Sequence, residues 1–572
     1  MNLGFALSLV SEWELIGVTD AVIAPGSRSG PMAVALGESR IIDSHIVLDE
    51  RSAGFYALGL SKVSGVPTVV LTTSGTAAAN LRPSVTEAFH SGVPMIVLTA
   101  DRPLEAHKFG AAQTMEQEEL FSDVVLFRAS PSVPDGGNKT RWRALASRAF
   151  HEAVSNPTRK GPVHLNLAFR EPLIEEDPTV LDYRRAREPW YKLHCDGAAK
   201  LSEELSQAGR VLVVAGESDR SFGAEELAKC CQLGWPVIAG PTSGFRNSSG
   251  CSLGSFEAFL RSEKIRDLVR PDVLVLLGGD LASRTVNGFI SQTGKNAARI
   301  VRVSPSWYWR DSQNVVTDFY FGSVRSFFAA FPEAGSRREY HELLSTIDGV
   351  AHDGIVQALG KKISDPLVSA EVYSFAGSSD MVFVSSSMPI RDLEWFAPLT
   401  QTPPSVYSNR GVNGIDGVLS SFHGAARVHQ RANPGGRSYL LIGDLAFRHD
   451  IGALADISNS GLDLLICVTD NSGGGIFSFV PRSASLARDQ FERLFAAPQP
   501  GDLAAIGRGF GLYTQVVDEI LSFHGELREF DRNGGVRLLI IRSDRYENVA
   551  LHEQAFEEGK RRAELEVDGM EF

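Results

Sequence analysis

The 572-residue chain has little of several features that mark other classes of protein. Its five cysteines form no C-x-x-C pair, and an odd, scattered set favours a reducing cytoplasm over a disulfide framework. No apolar run approaches the roughly 18 residues of a membrane helix. The first residues lack a basic region, so we expect no signal peptide. The pattern G-x-x-x-x-G-K-[ST] is also absent, which argues against a P-loop nucleotidase.

The charge balance is acidic, with a net charge of -13. Nucleic acids and anionic membranes repel such a chain unless arginines cluster locally, so we expect neither as a partner. With 43% hydrophobic and 22% charged residues, the composition is typical of a globular protein. The length allows about three or four domains of roughly 150 residues each.

The segment from Ser438 to Arg482 has the pattern of a parallel β-α-β unit. Two short apolar runs, YLLI and DLLICV, flank a helical stretch and end in turn residues. Asp444 follows the first run and Asn471 the second, at the carboxyl ends where parallel sheets bind ligands. Two oxygen donors and a loop of bare backbone suit a hard divalent cation that holds a phosphate. The alternative for each residue alone is a helix cap or a turn.

The first third of the chain alternates strands and helices at the length of a doubly wound sheet. Each predicted strand ends in a polar cluster, and helix capping is the alternative explanation for most of them. Glu50 differs, because it lies between an apolar strand and the largely apolar helix AGFYALGL. We expect this carboxylate to be desolvated and to share a proton with a heterocycle nitrogen.

The middle of the chain again has an α/β pattern, but carries fewer residues suited to chemistry. Two of its strands end in AGE and LGGD, and neither completes G-x-G-x-x-G, which argues against dinucleotide binding. The charged segment from Glu175 to about Gly197 is predicted to be a linker. We therefore expect an α/β fold with three doubly wound parallel-sheet domains, at residues 1–180, 199–335 and 355–555.

The triplet GDL and the pair DN, about two dozen residues apart, resemble the thiamine-diphosphate fingerprint Gly-Asp-Gly…Asn-Asn. Leu445 replaces the third glycine of that fingerprint, and Asp470 replaces its first asparagine. The resemblance implies that Asp444, the side chain of Asn471 and the carbonyl of Gly473 hold Mg²⁺ or Mn²⁺.

Upstream motifs make the resemblance specific. PGSRSGP, LDERSAGFYALGL, TTSGTAAANL, LTADRP and GAAQT occur in the order of one thiamine-diphosphate family, the 2-succinyl-5-enolpyruvyl-6-hydroxy-3-cyclohexene-1-carboxylate synthases. The similarity runs from about Gly26 to Arg482. It implies the thiamine-diphosphate decarboxylase-like arrangement of a pyrimidine-binding, a central and a diphosphate-binding domain. It also implies a homodimer or homotetramer that acts on 2-oxoglutarate and isochorismate in menaquinone or phylloquinone synthesis.

The resemblance also implies roles for individual residues. Glu50 would bind N1′ of the aminopyrimidine, and Gln113 would help to orient the substrates as a second catalytic residue. The cofactor would further contact Ser387, Ile415, Gly443, Asp444, Leu445, Asn471, Gly473 and Ile476. The substrates would contact Ser27, Arg28, Arg102, Gln113, Arg284, Ser387, Arg391, Arg410 and Phe477.

Physical arguments bear on several of these residues. Both substrates carry two carboxylates, which planar guanidinium groups bind bidentately, and the arginines lie in loops at strand or helix ends. Ser387 and Arg391 are four residues apart and would share a helix face at an anion-binding N-terminus. Core packing is the alternative for Ile415 and Phe477. A solvated surface is the alternative for Arg284, because a serine precedes it where the family can carry a lysine.

The reaction that the resemblance implies is decarboxylation of 2-oxoglutarate and 1,4-addition of the resulting carbanion equivalent to isochorismate. One rival is another thiamine-diphosphate decarboxylase or carboligase with a different acceptor. A second rival is a cofactor-binding paralogue without activity that acts as a regulator or scaffold. The presence of Glu50, Asp444 and Asn471 together favours an enzyme.

Overall fold

The computed structural model describes most of the chain. The described residues are 1–135, 139–154, 159–174, 205, 208–218, 222–248, 250–296, 298–305, 311, 315–331, 338–479 and 486–570. The linker predicted from Glu175 to about Gly197 and the end of the family similarity at Arg482 lie outside them. None of the described helices combines the length and apolarity that a membrane span requires.

The first sheet has six parallel strands in the order β2-β1-β3-β4-β6-β5. The strands are β1 (Asp20–Ile23), β2 (Asp43–Ile46), β3 (Thr68–Thr72), β4 (Met95–Asp101), β5 (Phe127–Ala129) and β6 (Pro162–Ala168). The helices in this part of the chain are Asn2–Ile16, Gly30–Gly37, Glu50–Ser64, Thr76–Asn80, Arg82–Ser91 and Lys139–Val154, with a 3-10 turn at Leu104–Ala106.

The second sheet also has six parallel strands, in the order β12-β11-β10-β7-β8-β9. They are β7 (Val211–Ala215), β8 (Val237–Ala239), β9 (Ser252–Leu253), β10 (Val273–Leu277), β11 (Arg299–Ser304) and β12 (Asp318–Phe321). The helices are Ala224–Leu233, Phe256–Phe259, Glu263–Leu268, Arg284–Lys295 and Val324–Ala329, with a 3-10 turn at Pro241–Ser243.

The third sheet repeats the strand order of the first, as β14-β13-β15-β16-β18-β17, and is parallel throughout. Its strands are β13 (Met381–Val384), β14 (Ser405–Ser408), β15 (Ser438–Gly443), β16 (Leu464–Asp470), β17 (Tyr513–Val517) and β18 (Val536–Arg542). The α-helices are Arg338–Leu359, Asp365–Phe375, Met388–Phe396, Val418–Ala432, Asp444–His449, Leu454–Ile457, Arg488–Phe491, Leu503–Gly509, Ile520–Asn533 and Arg545–Gly569. Short turns lie at Ile451–Ala453, Gly475–Phe479 and Glu492–Ala496.

Each sheet has an interior strand that is buried along its whole length. β3 (TVVLT), β7 (VLVVA) and β13 (MVFV) show no half-exposed position, in contrast to the alternation of a one-sided sheet. Continuous apolar runs of this kind are typical of parallel sheets covered by helices on both faces. The predicted fold class, α/β with three parallel sheets, is therefore confirmed.

Contacts divide the chain into two compact units. The first comprises Met1–Cys195, Asn409–Ala432 and His449–Ser460, and contains the first sheet. The second comprises the remaining residues and contains the other two sheets. Each sheet lies within one of the three expected ranges, while the last helix runs to Gly569, past residue 555. The expected domain boundaries stay a prediction.

Candidate active site

Two neighbouring strands of the third sheet bring the predicted metal ligands to one edge. β15 and β16 are adjacent and parallel, with Gly443 paired to Thr469 in their register. Asp444 and Asn471, which follow these strands, therefore share the carboxyl edge of the sheet. Both are buried, with Asp444 5% and Asn471 8% exposed. The structure thus places the two side chains at the edge where the sequence predicts them.

The amide group of Asn471 is held in one orientation. Its Nδ2 donates a hydrogen bond to Oδ2 of Asp365 at 2.8 Å. Its Oδ1 is buried and has no hydrogen-bond partner in the described part of the chain. Leaving a buried acceptor unpaired costs about 1–3 kcal/mol, so the group fits an oxygen that coordinates a cation.

The carboxyl group of Asp444 lies where negative charge is disfavoured. Burial, with a contribution from the charge of Asp470, raises the pKa of Asp444 to about 7. Backbone N–H groups oppose this rise, including that of Leu445, which donates to Oδ1 at 2.8 Å. A cation beside the carboxylate would stabilise its charged form.

A loop of unusual backbone conformation follows Asn471. Ser472 has φ 63° and Gly473 has φ 124°, both in the left-handed region. A Cβ at Gly473 would overlap the carbonyl oxygen of Ala496, so only glycine fits here. The Gly473 carbonyl accepts the N–H of Gly475 at 2.8 Å, and its second lone pair remains for another donor or a cation. Together with the Asp444 and Asn471 oxygens, this carbonyl forms a donor set that fits Mg²⁺.

The apolar residues predicted around the cofactor differ in their packing. Leu445 is half-buried, and half-buried Ile476 packs against a buried cluster that includes Trp395 and Phe396. Phe477 is 40% exposed, and its ring packs edge-to-face against that of Phe495. It is therefore not a core aromatic within this unit. Its exposure is compatible with lining a substrate pocket, and that role stays a prediction.

Ser387 and Arg391 are joined at the start of the helix Met388–Phe396. Ser387 is the N-cap residue, with φ 76°, and its carbonyl accepts a hydrogen bond from Nη1 of Arg391 at 2.6 Å. The four-residue spacing therefore brings the guanidinium to the N-terminal end of the helix, where backbone N–H groups and the helix dipole also favour anions.

In the first unit, Glu50 is the first residue of the helix Glu50–Ser64 and is half-buried. The side chain of the preceding Asp49 caps this helix by accepting the N–H of Ser52 at 2.8 Å. The helix packs closely on Val418–Ala432, because a Cβ at Gly59 would overlap the backbone of that helix. Capping and close packing hold the start of the Glu50 helix in place.

Arg102 and Gln113 are brought together at the carboxyl ends of β3 and β4. Nη1 of Arg102 donates to Oγ of Ser74 at 2.9 Å and to the carbonyl of Gln113 at 3.1 Å. Gln113 is exposed and has φ 55°. Buried Gln117 supports this loop, since its Oε1 accepts the N–H of Gly75 at 2.8 Å. Two predicted substrate residues thus form one group.

Arg28 is engaged by the protein. Its Nη1 donates to the carbonyl of Phe169 at 2.9 Å, and Nη2 lies 3.0 Å from Oε1 of exposed Glu171. The neighbouring Ser27 is exposed. The guanidinium therefore ties its loop to the segment after β6, and only its solvent-exposed ion pair is readily exchanged for a ligand.

The loop that carries Arg410 is anchored by a buried carboxylate. Oε1 and Oε2 of Glu87 accept the N–H groups of Gly411 and Val412, each at 2.8 Å. Arg410 and the nearby Ile415 are both half-buried, so core packing does not account for Ile415 within this unit.

Arg284 is exposed at the start of the helix Arg284–Lys295. Ser283 before it is fully buried and caps this helix, while its hydroxyl donates to Oε2 of Glu257 at 2.5 Å. The serine therefore has a structural role, and Arg284 keeps the alternative of a solvated surface residue.

Three supporting residues were missed by sequence reasoning. Asp365, Gln117 and Glu87 each hold a predicted site residue or its loop through buried hydrogen bonds. The sequence Ser-Asp-Pro at Asp365 signals only a helix start. Nothing local marks the other two, because their partners lie 42 and 324 residues away.

Comparison with known proteins agrees with this geometry. Residues 6–124 match the family model described as thiamine pyrophosphate enzyme, N-terminal TPP binding domain. This match defines the class of the protein, a thiamine-diphosphate enzyme.

Curated relatives narrow the class further. Proteins named 2-succinyl-5-enolpyruvyl-6-hydroxy-3-cyclohexene-1-carboxylate synthase are similar over nearly the whole chain. The one from Bacillus cytotoxicus is 33% identical, over 95% of this chain and 94% of its own length. Those from Geobacillus kaustophilus and Myxococcus xanthus are each 34% identical, and cover 96% and 97% of both chains respectively. The chain belongs to the 2-succinyl-5-enolpyruvyl-6-hydroxy-3-cyclohexene-1-carboxylate synthase family.

Proposed function

We propose that this chain decarboxylates 2-oxoglutarate and adds the remaining succinyl-semialdehyde unit to isochorismate by 1,4-addition. The products are 2-succinyl-5-enolpyruvyl-6-hydroxy-3-cyclohexene-1-carboxylate and CO₂, as in menaquinone or phylloquinone synthesis. The name that the relatives carry supports this reaction. The structural observation that carries the proposal is the buried, unpartnered Oδ1 of Asn471 at the same sheet edge as Asp444.

The residues of the third sheet would hold the metal. Asp444, Asn471 and the Gly473 carbonyl provide oxygen ligands for Mg²⁺, and Mn²⁺ accepts the same donor types. Bound thiamine diphosphate supplies the carbon nucleophile and the electron sink for decarboxylation. Glu50 would accept or donate the proton at N1′ of the aminopyrimidine ring. Leu445 and Ile476 would offer apolar contact, with Gly443 providing room for close approach.

The arginines would bind the carboxylates of the two substrates. Arg102, fixed beside Gln113, and Arg391, at a helix N-terminus, are the best-positioned guanidinium groups. Arg410 lies in a firmly anchored loop, with Arg28 and Arg284 as further candidates. Neutralising anionic substrates lowers the barrier to bringing them together by several kcal/mol.

We also propose that the protein is a cytoplasmic homodimer or homotetramer. In the first unit, Ile46 and Leu48, shortly before Glu50, are 58% and 79% exposed. Large apolar side chains beside a functional carboxylate suit a surface covered by another subunit. Light scattering coupled to size-exclusion chromatography measures the oligomeric state, and a monomer at micromolar concentration would contradict this assignment.

The test of the reaction is CO₂ release from 2-oxoglutarate with thiamine diphosphate and Mg²⁺, measured with and without isochorismate. We expect fast release only when isochorismate is present. Glu50→Gln should reduce this release by about 10²- to 10⁴-fold, the usual contribution of a proton-transferring group. Glu118→Gln, which changes an exposed glutamate in the same unit, serves as the matched control and should retain activity.

Each of the other possible outcomes would contradict one part of the proposed reaction. Release that is indifferent to isochorismate would contradict the acceptor and favour a plain decarboxylase. Full activity in Glu50→Gln would remove this carboxylate from the mechanism. Binding of the cofactor without turnover of any 2-oxo acid would favour the scaffold hypothesis.

A further inference from the structure

A buried carboxylate outside the predicted site touches one of the metal ligands. Asp365 is the first residue of the helix Asp365–Phe375 and is 3% exposed. Its Oδ2 accepts a hydrogen bond from Nδ2 of Asn471 at 2.8 Å. We propose that Asp365 is a positioning residue that turns the Asn471 amide so that its oxygen faces the metal. This inference rests on the metal-binding role proposed above for Asn471.

An asparagine needs such a partner because its amide has two similar ends. Only Oδ1 can coordinate a cation, since the NH₂ group is a donor without a free lone pair. Turning the amide by 180° would place Oδ1 against Oδ2 of Asp365. Two acceptors would then face each other in a buried site, where unpaired polar groups are most costly. The carboxylate therefore selects the orientation that leaves Oδ1 of Asn471 available.

Asp365 is itself fixed from two sides. Its Oδ1 accepts the hydroxyl of Ser543 at 2.6 Å, and its backbone N–H donates to Oδ1 of Asn548 at 3.2 Å. Nδ2 of Asn548 donates in turn to Oγ of Ser543 at 3.3 Å. This network joins the start of one helix to the segment after β18, so the carboxylate cannot follow a rotating amide.

The charge of Asp365 adds to its geometric effect. The carboxylate lies at the N-terminus of an eleven-residue helix, where negative charge is stabilised. The hydrogen bond that it accepts from Nδ2 polarises the amide of Asn471 and makes Oδ1 a better ligand for a cation. Partners of this kind behind a metal ligand alter metal affinity by about 10- to 100-fold when removed.

The experiment measures the dissociation constant of Mn²⁺ by electron paramagnetic resonance of the free ion, with the full chain and thiamine diphosphate present. We expect Asp365→Ala to weaken Mn²⁺ binding by about 10- to 100-fold. Asn471→Ala should weaken it at least as much. Asp365→Ala should add little in the Asn471→Ala background, because Asp365 acts through the missing amide.

A conservative variant separates positioning from general structure. Asp365→Asn keeps one carbonyl oxygen as an acceptor for Asn471, and should recover most of the affinity lost in Asp365→Ala. Asp348→Ala is the matched control, since Asp348 is a buried carboxylate that accepts the N–H groups of Gly254 and Ser255. It should lower the melting temperature and leave Mn²⁺ affinity unchanged.

The results that would contradict the positioning role differ from those that would contradict the metal site. Unchanged Mn²⁺ affinity in folded Asp365→Ala, or equal fold losses with and without Asn471, would overturn the positioning role. Unchanged affinity in Asn471→Ala would instead overturn the metal site. If Asp365→Ala does not fold, Ser543→Ala tests the same network. A loss that vanishes in the Asn471→Ala background supports the proposal, and unchanged affinity overturns it.

Discussion

The first and third sheets share one strand order, but they differ in how the polar groups at their carboxyl edges are satisfied. Asp101 is the last residue of β4 in the first sheet, and both of its carboxylate oxygens accept hydrogen bonds from the protein. Oδ1 accepts the N–H of Arg102 at 2.7 Å and Oδ2 accepts Nδ2 of Asn166 at 2.9 Å. After the corresponding strand β16 of the third sheet, Oδ1 of Asn471 has no such partner in the described residues.

This difference shows that topology alone does not decide whether the polar groups at a sheet edge find partners within the protein. Both sheets place polar residues at the same edge for the same geometric reason. At this position of the third sheet, Oδ1 of Asn471 is a buried acceptor without a protein donor in the described residues, which is the condition under which a cation gains most. The first sheet instead uses its edge to fix the loop of Arg102 and Gln113, and to start the helix of Glu50.

The largest expected effect is the difference between removing Asp444 and removing Asp101, the carboxylates at the two sheet edges. Asp444→Ala should lower isochorismate-dependent CO₂ release by more than about 100-fold and weaken Mn²⁺ binding similarly, because a metal ligand is lost. Asp101→Ala should reduce stability but leave the Mn²⁺ dissociation constant unchanged. Both quantities are measured on the same preparations. Equal weakening of Mn²⁺ binding by the two substitutions would show that the edges are not different in this respect.

A pair of glycine substitutions compares the loops of the two sheets. Gly473→Ala should cost roughly 2–4 kcal/mol, since it adds left-handed strain to an overlap with the Ala496 carbonyl. Gly75→Ala should cost roughly 1–2 kcal/mol, because Gly75 has φ 84° but the nearest atoms to its Cβ would be those of Gln113, at 3.4 Å. Urea unfolding measures both changes. A larger cost at Gly75 would contradict the structure of the Gly473 loop.

The third expectation concerns a buried pair beside the third sheet. Nδ1 of His552 donates to the carbonyl of Asn548 at 2.6 Å, so one further proton is shared between Nε2 and Oδ1 of Asp392, 2.7 Å apart. Burial raises the pKa of Asp392 to about 6, although His552 opposes the rise. Burial alone would lower the pKa of His552, but the Asp392 carboxylate overcomes this and raises it.

The folded pair therefore keeps a proton that the unfolded chain loses above pH about 6.5. Stability from this pair is present below that pH and is lost as the pH rises, by up to about 1.4 kcal/mol per pH unit. The stability difference between the native protein and Asp392→Asn should narrow from pH 6.5 to 8.5 in thermal unfolding. Asp348→Asn is the control, because Asp348 is a buried carboxylate that accepts the N–H groups of Gly254 and Ser255 and shares no proton with a histidine in these hydrogen bonds. A constant difference for Asp392→Asn would contradict the shared proton.

The smallest expected effect is on the stability contributed by Asp20 in the first sheet. This stability is lost as the pH falls, whereas that of the Asp392 pair is lost as the pH rises. Burial tends to raise the pKa of Asp20 in β1, but hydrogen bonds from His45, Arg431 and Thr19 together hold it well below its usual range. Its stabilisation is thus present above pH about 4 and is lost as the pH falls. Because Arg431 is 43% exposed, solvent screening makes this effect smaller than that of the Asp392 pair.

The measurement compares the native protein with Asp20→Asn between pH 5 and 3, where their stabilities should converge. Asp43→Asn, which changes a 60% exposed neighbour, should show little dependence on pH. If the stabilities of the native protein and Asp20→Asn converged as the pH rises instead, the ion pair between Asp20 and Arg431 would be contradicted.

Much of the fold was predictable from apolar runs and their spacing. The strands YLLI and DLLICV correspond to β15 and β16, and the strands expected to end in AGE and LGGD correspond to β7 and β10. The edge strands β9 and β12 were missed. β9 has two residues and β12 has four, and segments this short carry no periodicity of their own.

The candidate site divides in the same way. The strand-end positions of Asp444 and Asn471 were predictable because each directly follows an apolar strand, and strand ends locate ligand edges. The apolar strand expected before Glu50 is wrong, since β2 ends at Ile46 and its residues are half-buried or exposed. Asp365, Gln117 and Glu87 were not predictable, since each acts on a residue that is distant along the chain. The burial expected for Glu50 is also only partial in its unit.

The sequence by itself determined which chemistry-bearing residues follow which strands, and with that the α/β class, the family and the type of cofactor. These properties depend on local order along the chain, which apolar patterning and motifs record directly. Only the tertiary structure decided which acceptors stay unpaired, which arginines are already engaged and which way the Asn471 amide faces. Those properties depend on hydrogen bonds between segments far apart in the chain, such as the one joining Asn471 to Asp365, and no local pattern encodes them.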